Sequence, residues 1–249
     1  RASLMSGLYY QQSLKKGPSG NLGHNQLAIP NNTTIAEVLR EAGYATALAG
    51  KWHLSTTPYE RGFEQFYGFL DGSGDHWYSP RVFGDFHVDP DDFYSSDAYT
   101  DAGISVIEQG LESGKPIFLF LSYAAPHYPL HAFEEDIAKY ENRFEGGWGK
   151  VRERRIEHMK QAGFIDPSFA VRERLLKTQP WDKRQGDWDW NSLSEEEKAE
   201  QESLMETYAA MLDRVDQNIG RLVKRLDALG VLDNTAIFFL SDNGGSPYP

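Results

Sequence analysis

Apolar residues follow two alternating rhythms along the chain, helical spacing and then short solid runs, which predict successive helix–strand pairs. The first pair opens at Thr34, an N-cap with Glu37 three residues on in a capping-box arrangement. Ile35, Val38, Leu39 and Ala42 then recur on one helical face, and Gly43 ends the helix. Tyr44 to Ala49 is the strand that follows, with Gly50-Lys51-Trp52-His53 at its C-terminal end. A second helix is expected from about Ser96, with Tyr99, Ala102, Val106 and Ile107 on one face and Gly114 and Pro116 at its end. Ile117 to Leu121 is a solid apolar run, the pattern of a strand buried on both faces, and leads into Ala124-Ala125-Pro126-His127-Tyr128-Pro129. In the third pair Ser194 precedes Glu195, Glu196 and Glu197, a start that suits both the cap and the helix dipole. Leu204, Tyr208, Met211, Val215, Leu222 and Leu226 carry an apolar stripe to Gly230. Thr235 to Leu240 then predicts another buried strand, delivering Ser241-Asp242-Asn243-Gly244-Gly245.

Helices alternating with apolar strands imply an α/β fold, a mainly parallel sheet sandwiched between helices. Two long stretches, Tyr59 to Tyr94 and Asn142 to Asn191, exceed ordinary connections and are rich in Trp, Tyr, Gly and charge. They read as loops and short helices at the rim of a site.

Composition narrows the classes. The 249 residues suffice for one large domain, or one and part of a second. No apolar run approaches the roughly 18 residues of a membrane span. A net charge of −12 argues against nucleic acid as partner, so any bound anion must be captured by a few local cations. Cysteine is absent, which excludes disulfides, thiolate metal sites and a Cys nucleophile within this sequence. That absence suits the cytoplasm and a bacterial periplasm equally well and decides neither; a periplasmic or secreted location is the expectation over the cytoplasm. Arg1 at the start and Ser246-Pro247-Tyr248-Pro249 at the end read as internal positions of a longer protein.

In an open parallel sheet, ligands bind beyond the carboxyl ends of the strands. The predicted strands end in Lys51 and His53, in His127, and in Asp242 and Asn243. An Asp carboxylate and an Asn carbonyl are hard ligands for Ca²⁺ or Mg²⁺. A lysine can hold an anionic oxygen, and two histidines can exchange protons near neutral pH. Each piece alone has a plainer structural reading: His127 could fix a rigid loop between prolines, and Asp-Asn-Gly-Gly is ordinary turn sequence. Together they describe a site for a sulfate or phosphate ester.

These segments carry a resemblance. Glu41 to Leu54, with Gly50-Lys51-Trp52-His53, resembles the GKWH segment of the formylglycine-dependent sulfatases of the alkaline phosphatase-like superfamily. Pro126-His127-Tyr128-Pro129 resembles their PHxP segment, and Asp242-Asn243-Gly244 their metal-binding DNG. Arg1-Ala-Ser-Leu-Met-Ser-Gly7 is similar to the second half of their C/S-x-P-S-R-x-x-L-x-T/S-G signature. Asn218-Ile-Gly-Arg221 and the Trp148 region look like the bacterial arylsulfatase branch.

The resemblance implies a hydrolase of aryl or carbohydrate sulfate esters. Its nucleophile would be a formylglycine hydrate made by a maturating enzyme from the Cys or Ser four residues before the signature arginine. That position lies upstream of Arg1, so the sequence would be the central part of a catalytic domain. The N-terminal metal-binding strand and the C-terminal subdomain would lie outside it, and the 249 residues alone should be inactive. By the same resemblance, Arg1 would help hold the formylglycine and the metal region, and Lys51 would bridge nucleophile and sulfate. His53 would accept a proton as the sulfated intermediate collapses, and His127 would assist the leaving group. Asp242 and Asn243 would coordinate Ca²⁺, with Mg²⁺ the other hard ion. Two other readings stay open. One is a phosphonate or phosphodiester hydrolase of the superfamily, although Asn243 stands where two-metal relatives place a histidine. The other is a sulfoglycan-binding relative without a nucleophile.

The remaining candidates read as structural. His24, His76, His87, His131 and His158 are expected in loops or at the surface; His76, with Trp77 and Tyr78, lies where it could stack on a sugar or aryl ring. Lys150 to Arg155 reads as a solvated helix face. Trp181, Trp188 and Trp190 are expected to pin a long loop, and Asp89, Asp91 and Asp92 to form an exposed acidic loop. The sequons at Asn31 and Asn32 carry no functional reading of their own.

Overall fold

A capping box closes the first helical turn as expected. In the computed structural model, which describes residues 1–9, 32–54, 56–77, 83–86, 92–169 and 190–244, Thr34 Oγ1 accepts from Glu37 N and Glu37 Oε2 accepts from Thr34 N. His24, Asn31, Tyr78, His87, Asp89, Asp91, Trp181 and Trp188 lie outside the described residues. The chain divides into two compact units, Arg1–His131 with Met211–Pro249, and Ala132–Ala210.

The first unit opens with α1 (Ala2–Ser6) and α2 (Ile35–Glu41), then β1 (Ala45–Lys51), β2 (Gln65–Phe69) and β3 (Phe83–Gly84). Next come α3 (Ser95–Ser113), closed by Gly114 in the left-handed region, and β4 (Ile117–Ser122). The sheet order is β3-β2-β1-β4, with β1 parallel to β2 and β4 and only β3 antiparallel. Because side chains alternate along a strand, β1 feeds two cores. Leu48 packs with Met5, Trp52, Phe63 and Phe66, and Ala49 with Tyr67, Phe69, Ala98 and Tyr99.

Three expectations need correction. The stretch from Tyr59 to Tyr94, expected to hold loops and short helices, also holds β2 and β3. β2 was illegible because its run is short and broken by Gly68. β4 is mostly half-buried rather than covered on both faces, since β1 is its one partner strand among the described residues. Thr235 to Leu240 forms no ladder: Phe238 is 86% and Phe239 79% exposed. Its apolar composition asks for cover, yet none of the described strands pairs with it. These 249 residues alone should therefore bind the dye ANS and self-associate, and Phe238→Ser with Phe239→Ser should reduce both; unchanged dye binding would contradict this.

The long helix α6, separated from β4 by the second unit, runs Glu195–Ala228. Its expected stripe buries Met211, Val215 and Leu226, whereas Leu204 and Tyr208 stay 40% and 43% exposed. Within the first unit its C-terminal half faces α3 through ion pairs. Arg214 Nε lies 2.9 and 3.2 Å from the two Asp97 oxygens, Arg221 pairs with Asp101, and Arg225 Nε reaches Glu108 at 2.7 Å.

The second unit contains α4 (Glu134–Ile137) and α5 (Gly147–Gln161), a 15-residue helix longer than sequence reading allowed between Asn142 and Asn191. Lys150 to Arg155 lie along its largely exposed face. Trp190 packs edge-on against Trp148, ring centroids 5.0 Å apart. Ser194 caps α6 reciprocally: Ser194 N donates to Glu197 Oε2 at 2.8 Å and Glu197 N to Ser194 Oγ at 3.2 Å.

Candidate active site

β1 and β4 run parallel with Gly50 opposite Ser122, so their carboxyl ends open side by side. Lys51 closes β1, buried at 7% exposure. The β1–β2 ladder continues past it: Trp52 N donates to Phe69 O at 2.9 Å and His53 N to Leu70 O at 3.0 Å. Trp52 is fully buried edge-on to Phe63, which anchors the strand end, and its indole N–H donates to Thr56 O. His53 then turns out of the strand in the left-handed region, φ 54°. A Cβ on Gly72 would come within 2.5 Å of His53 Nε2, so that glycine makes room for the imidazole.

Arg1 ties the separate motifs together. Its Nη1 donates to Trp52 O at 2.8 Å and its Nη2 to Asp242 Oδ2 at 2.7 Å. The strand end at Trp52 and the Asp242 motif thus meet at one guanidinium, which itself lies 241 residues from Asp242 in sequence. The Arg1 side chain is 7% exposed, and its Nε finds no acceptor among the described residues. That orphaned donor fits an anionic or carbonyl oxygen as a further neighbour.

His127 follows β4 on an exposed turn, its N–H donating to Ala124 O at 2.9 Å. The peptide bonds before Pro126 and Pro129 are cis. His127 Nδ1 lies 2.6 Å from Tyr128 O; a carbonyl only accepts, so Nδ1 carries hydrogen and Nε2 is the nitrogen available for exchange. Asp242 and Asn243 sit exposed after the unpaired 235–240 segment. Asn243 Nδ2 donates to Gly244 O at 2.7 Å, which leaves the side-chain oxygen as the ligating end.

Charge is concentrated here. Burial, then the neighbouring Arg1, pulls the Lys51 ammonium down to about 8, against the opposing pull of Asp242. Burial also takes His53 down to about 4, helped by Lys51, Arg1 and His127 and opposed by Asp242. Arg1, Lys51, His53, His127 and Asp242 thus share one electrostatic neighbourhood; Asn243 joins it through its place beside Asp242. His53 is neutral at pH 7 and able to accept a proton. Its folded pKa lies below the ordinary 6.5, so the stability it contributes is present above 6.5 and lost as pH falls toward 4. His53→Gln should flatten that acid-side loss; an imidazole titrating near 6.5 by NMR would contradict the assignment.

The Asp242 and Asn243 oxygens suit a hard cation but supply two of the roughly six to eight ligands that Ca²⁺ takes. No group of three or more His, Cys, Asp or Glu able to hold a metal occurs among the described residues.

Sequence reading missed His76. Expected in a loop, it is 1% exposed, with Nδ1 2.7 Å from Ser95 Oγ and Nε2 3.0 Å from His127 O. His131 is half-buried, 3.4 Å from Asp75, while His158 and Asp92 are exposed as expected. Asn32 accepts at its carbonyl from the buried Arg61.

A family model described as Sulfatase matches residues 1–249. The arylsulfatase of Klebsiella aerogenes is 32% identical over 98% of this chain and 53% of its own length. An N-acetylglucosamine-6-O-sulfatase of Bacteroides thetaiotaomicron is 29% identical over 85% of this chain and 44% of its own. A solved structure of a protein in complex with its substrate D-glucosamine-2-N,6-O-disulfate superposes with a TM-score of 0.56 at 25% identity, covering 94% of this chain and 53% of that one. The chain thus spans about half the length of the relatives it matches.

Proposed function

Since this chain belongs to the sulfatase family, we propose that the full-length protein hydrolyses aryl or carbohydrate sulfate esters at the site described above. The observation that carries this is the Arg1 clamp, which holds the Lys51–His53 strand end and Asp242 against one another. The Lys51 ammonium meets the negative oxygens of the sulfate, and its burial lets one charge act strongly where an anion binds. His53, neutral at pH 7, accepts a proton during turnover. His127 in its cationic form offers Nε2–H to the ester oxygen that departs, while Nδ1 stays on Tyr128 O. Asp242 and Asn243 would hold Ca²⁺ together with oxygens from outside the described residues. The nucleophile is a formylglycine at the fourth residue before Arg1, installed by a maturating enzyme. With the formylglycine in the chain and Ca²⁺ bound, they would supply an attacking hydroxyl and Lewis-acid charge. The partner is a sulfated small molecule or the sulfated end of a glycan.

The test is sulfate release from 4-nitrophenyl sulfate by the full-length protein, with mass spectrometry across the peptide preceding Arg1. Turnover with an aldehyde or its hydrate at that position is the expected result. An unmodifiable residue there makes the protein a sulfoglycan binder instead. Turnover of an aryl phosphonate far above the sulfate makes it a phosphonate hydrolase.

A further inference from the structure

His127 sits on an exposed turn between two prolines, where its N–H donates to Ala124 O and its Nδ1 to Tyr128 O, both within its own segment. A further hold, on its carbonyl, comes from a distant part of the chain. His76 is locked at three atoms: its carbonyl accepts from Ser95 N at 2.8 Å, Nδ1 meets Ser95 Oγ at 2.7 Å, and Nε2 meets the His127 carbonyl at 3.0 Å. Ser95 is itself buried, at the first residue of α3. Four residues along, the Tyr94 hydroxyl donates to His131 O at 2.9 Å, so side chains at residues 76 and 94 grip the turn at both ends.

The hydrogen positions follow from chemistry. A backbone carbonyl only accepts, so His76 Nε2 carries the hydrogen, and in a neutral ring Nδ1 then accepts from Ser95 Oγ–H. Burial holds His76 below the ordinary histidine range, although its bond to the His127 carbonyl opposes this. A neutral, fully buried imidazole that spends both nitrogens on fixed partners is not an exchanging group. It is a strut.

We infer that His76 is a positioning residue for the leaving-group step: its Nε2–H, aimed from Ser95, sets the His127 peptide and so the reach of the His127 imidazole toward the departing oxygen. This rests on the proposed role of His127. Proton donation matters greatly for an alkyl or sugar leaving group and little for 4-nitrophenolate, a good leaving group without it. A misplaced His127 therefore costs rate in proportion to leaving-group basicity, whereas a merely weakened fold costs all substrates alike.

The experiment uses the full-length protein with His76→Asn, which still reaches Ser95 but not the His127 carbonyl, and His76→Gln, whose amide N–H reaches the Nε2 position. His76→Asn should lower kcat/KM about 10- to 100-fold for a sugar sulfate, less than the roughly 100- to 10,000-fold of losing a general acid outright, because His127 is displaced rather than removed. It should change 4-nitrophenyl sulfate by less than about 3-fold, because that step needs no proton. His76→Gln should recover most of the loss, and His76→Asn added to His127→Ala should cost nothing further. Equal losses on both substrates, no rescue, or an additive double variant would overturn the inference while leaving the sulfatase reading intact. If His76→Asn does not fold, Ser95→Ala, which frees the ring at Nδ1, carries the same substrate comparison. A wild-type protein inert on every sulfate ester would overturn the reading of the site, and this inference with it.

Discussion

Lys51→Met in the full-length protein should lower kcat/KM for an aryl sulfate by about 1,000-fold, the upper range for removing one preorganised oxyanion-stabilising group. The same change should leave the thermal midpoint unchanged or higher. Both halves follow from one fact: Lys51 is a buried residue, 7% exposed, with Arg1 as a neighbour. Burial before anything else brings its pKa to about 8 from 10.5, so the folded protein binds that proton less tightly than the unfolded chain. Between these values the unfolded chain is the more protonated state, and stability rises with pH across that window. Methionine keeps much of the aliphatic volume and removes the charge, so the variant should lose that alkaline rise together with its activity. A protein stabilised by losing a side chain but disabled in turnover has kept that side chain for chemistry. Activity within about 10-fold of wild type would reverse the assignment of Lys51 to transition-state charge.

The legible parts of this molecule are those whose signals are local. Thr34 and Glu37 announce α2 because both partners of the capping box lie within one turn, and Gly114 ends α3 by its own backbone freedom. The strand ends carrying Lys51 and His127 were legible because a polar pair or a proline bracket follows an apolar run abruptly. The fold class follows from the same alternation, and the parallel pairing of β1 with β2 and β4 agrees with it. Illegible parts depend on distant partners. β2 exists because Gln65 to Phe69 finds β1, a pairing its own broken run does not announce. His76 looks like any loop histidine until Ser95 and His127, 19 and 51 residues away, close over it. Thr235 to Leu240 shows the converse, an apolar run that reads as a strand but has no described neighbour to make it one. Apolar pattern reports a demand for cover; it does not report what supplies the cover.

Gly50→Ala should be among the most damaging single-methyl changes available to this chain, costing about 3–5 kcal/mol from steric overlap and backbone strain together. Gly50 has φ 113°, where L side chains are strained, and an added Cβ would stand 2.0 Å from the Ser122 carbonyl oxygen on β4. On the other side it pairs with Gly68, whose own Cβ would stand 1.9 Å from the Gly50 oxygen. The nearest obstacle to a Cβ on Gly50 is backbone, the Ser122 carbonyl, so no flexible side chain can give way there. A domain's whole stability is about 5–15 kcal/mol, so the variant should leave little folded protein. Any that folds must spread β1 from β4, which moves Lys51 and the Trp52 carbonyl that Arg1 holds. Gly220→Ala is the matched control: its Cβ meets nothing within 4 Å, and in the interior of α6 alanine should stabilise by up to about 1 kcal/mol. Denaturant titration of both variants in the full-length protein decides the matter. If Gly50→Ala unfolds within about 1 kcal/mol of wild type, a range within which ordinary surface changes fall, the close approach of β1 to β4 at the mouth of the site is wrong, and the placement of Lys51 falls with it.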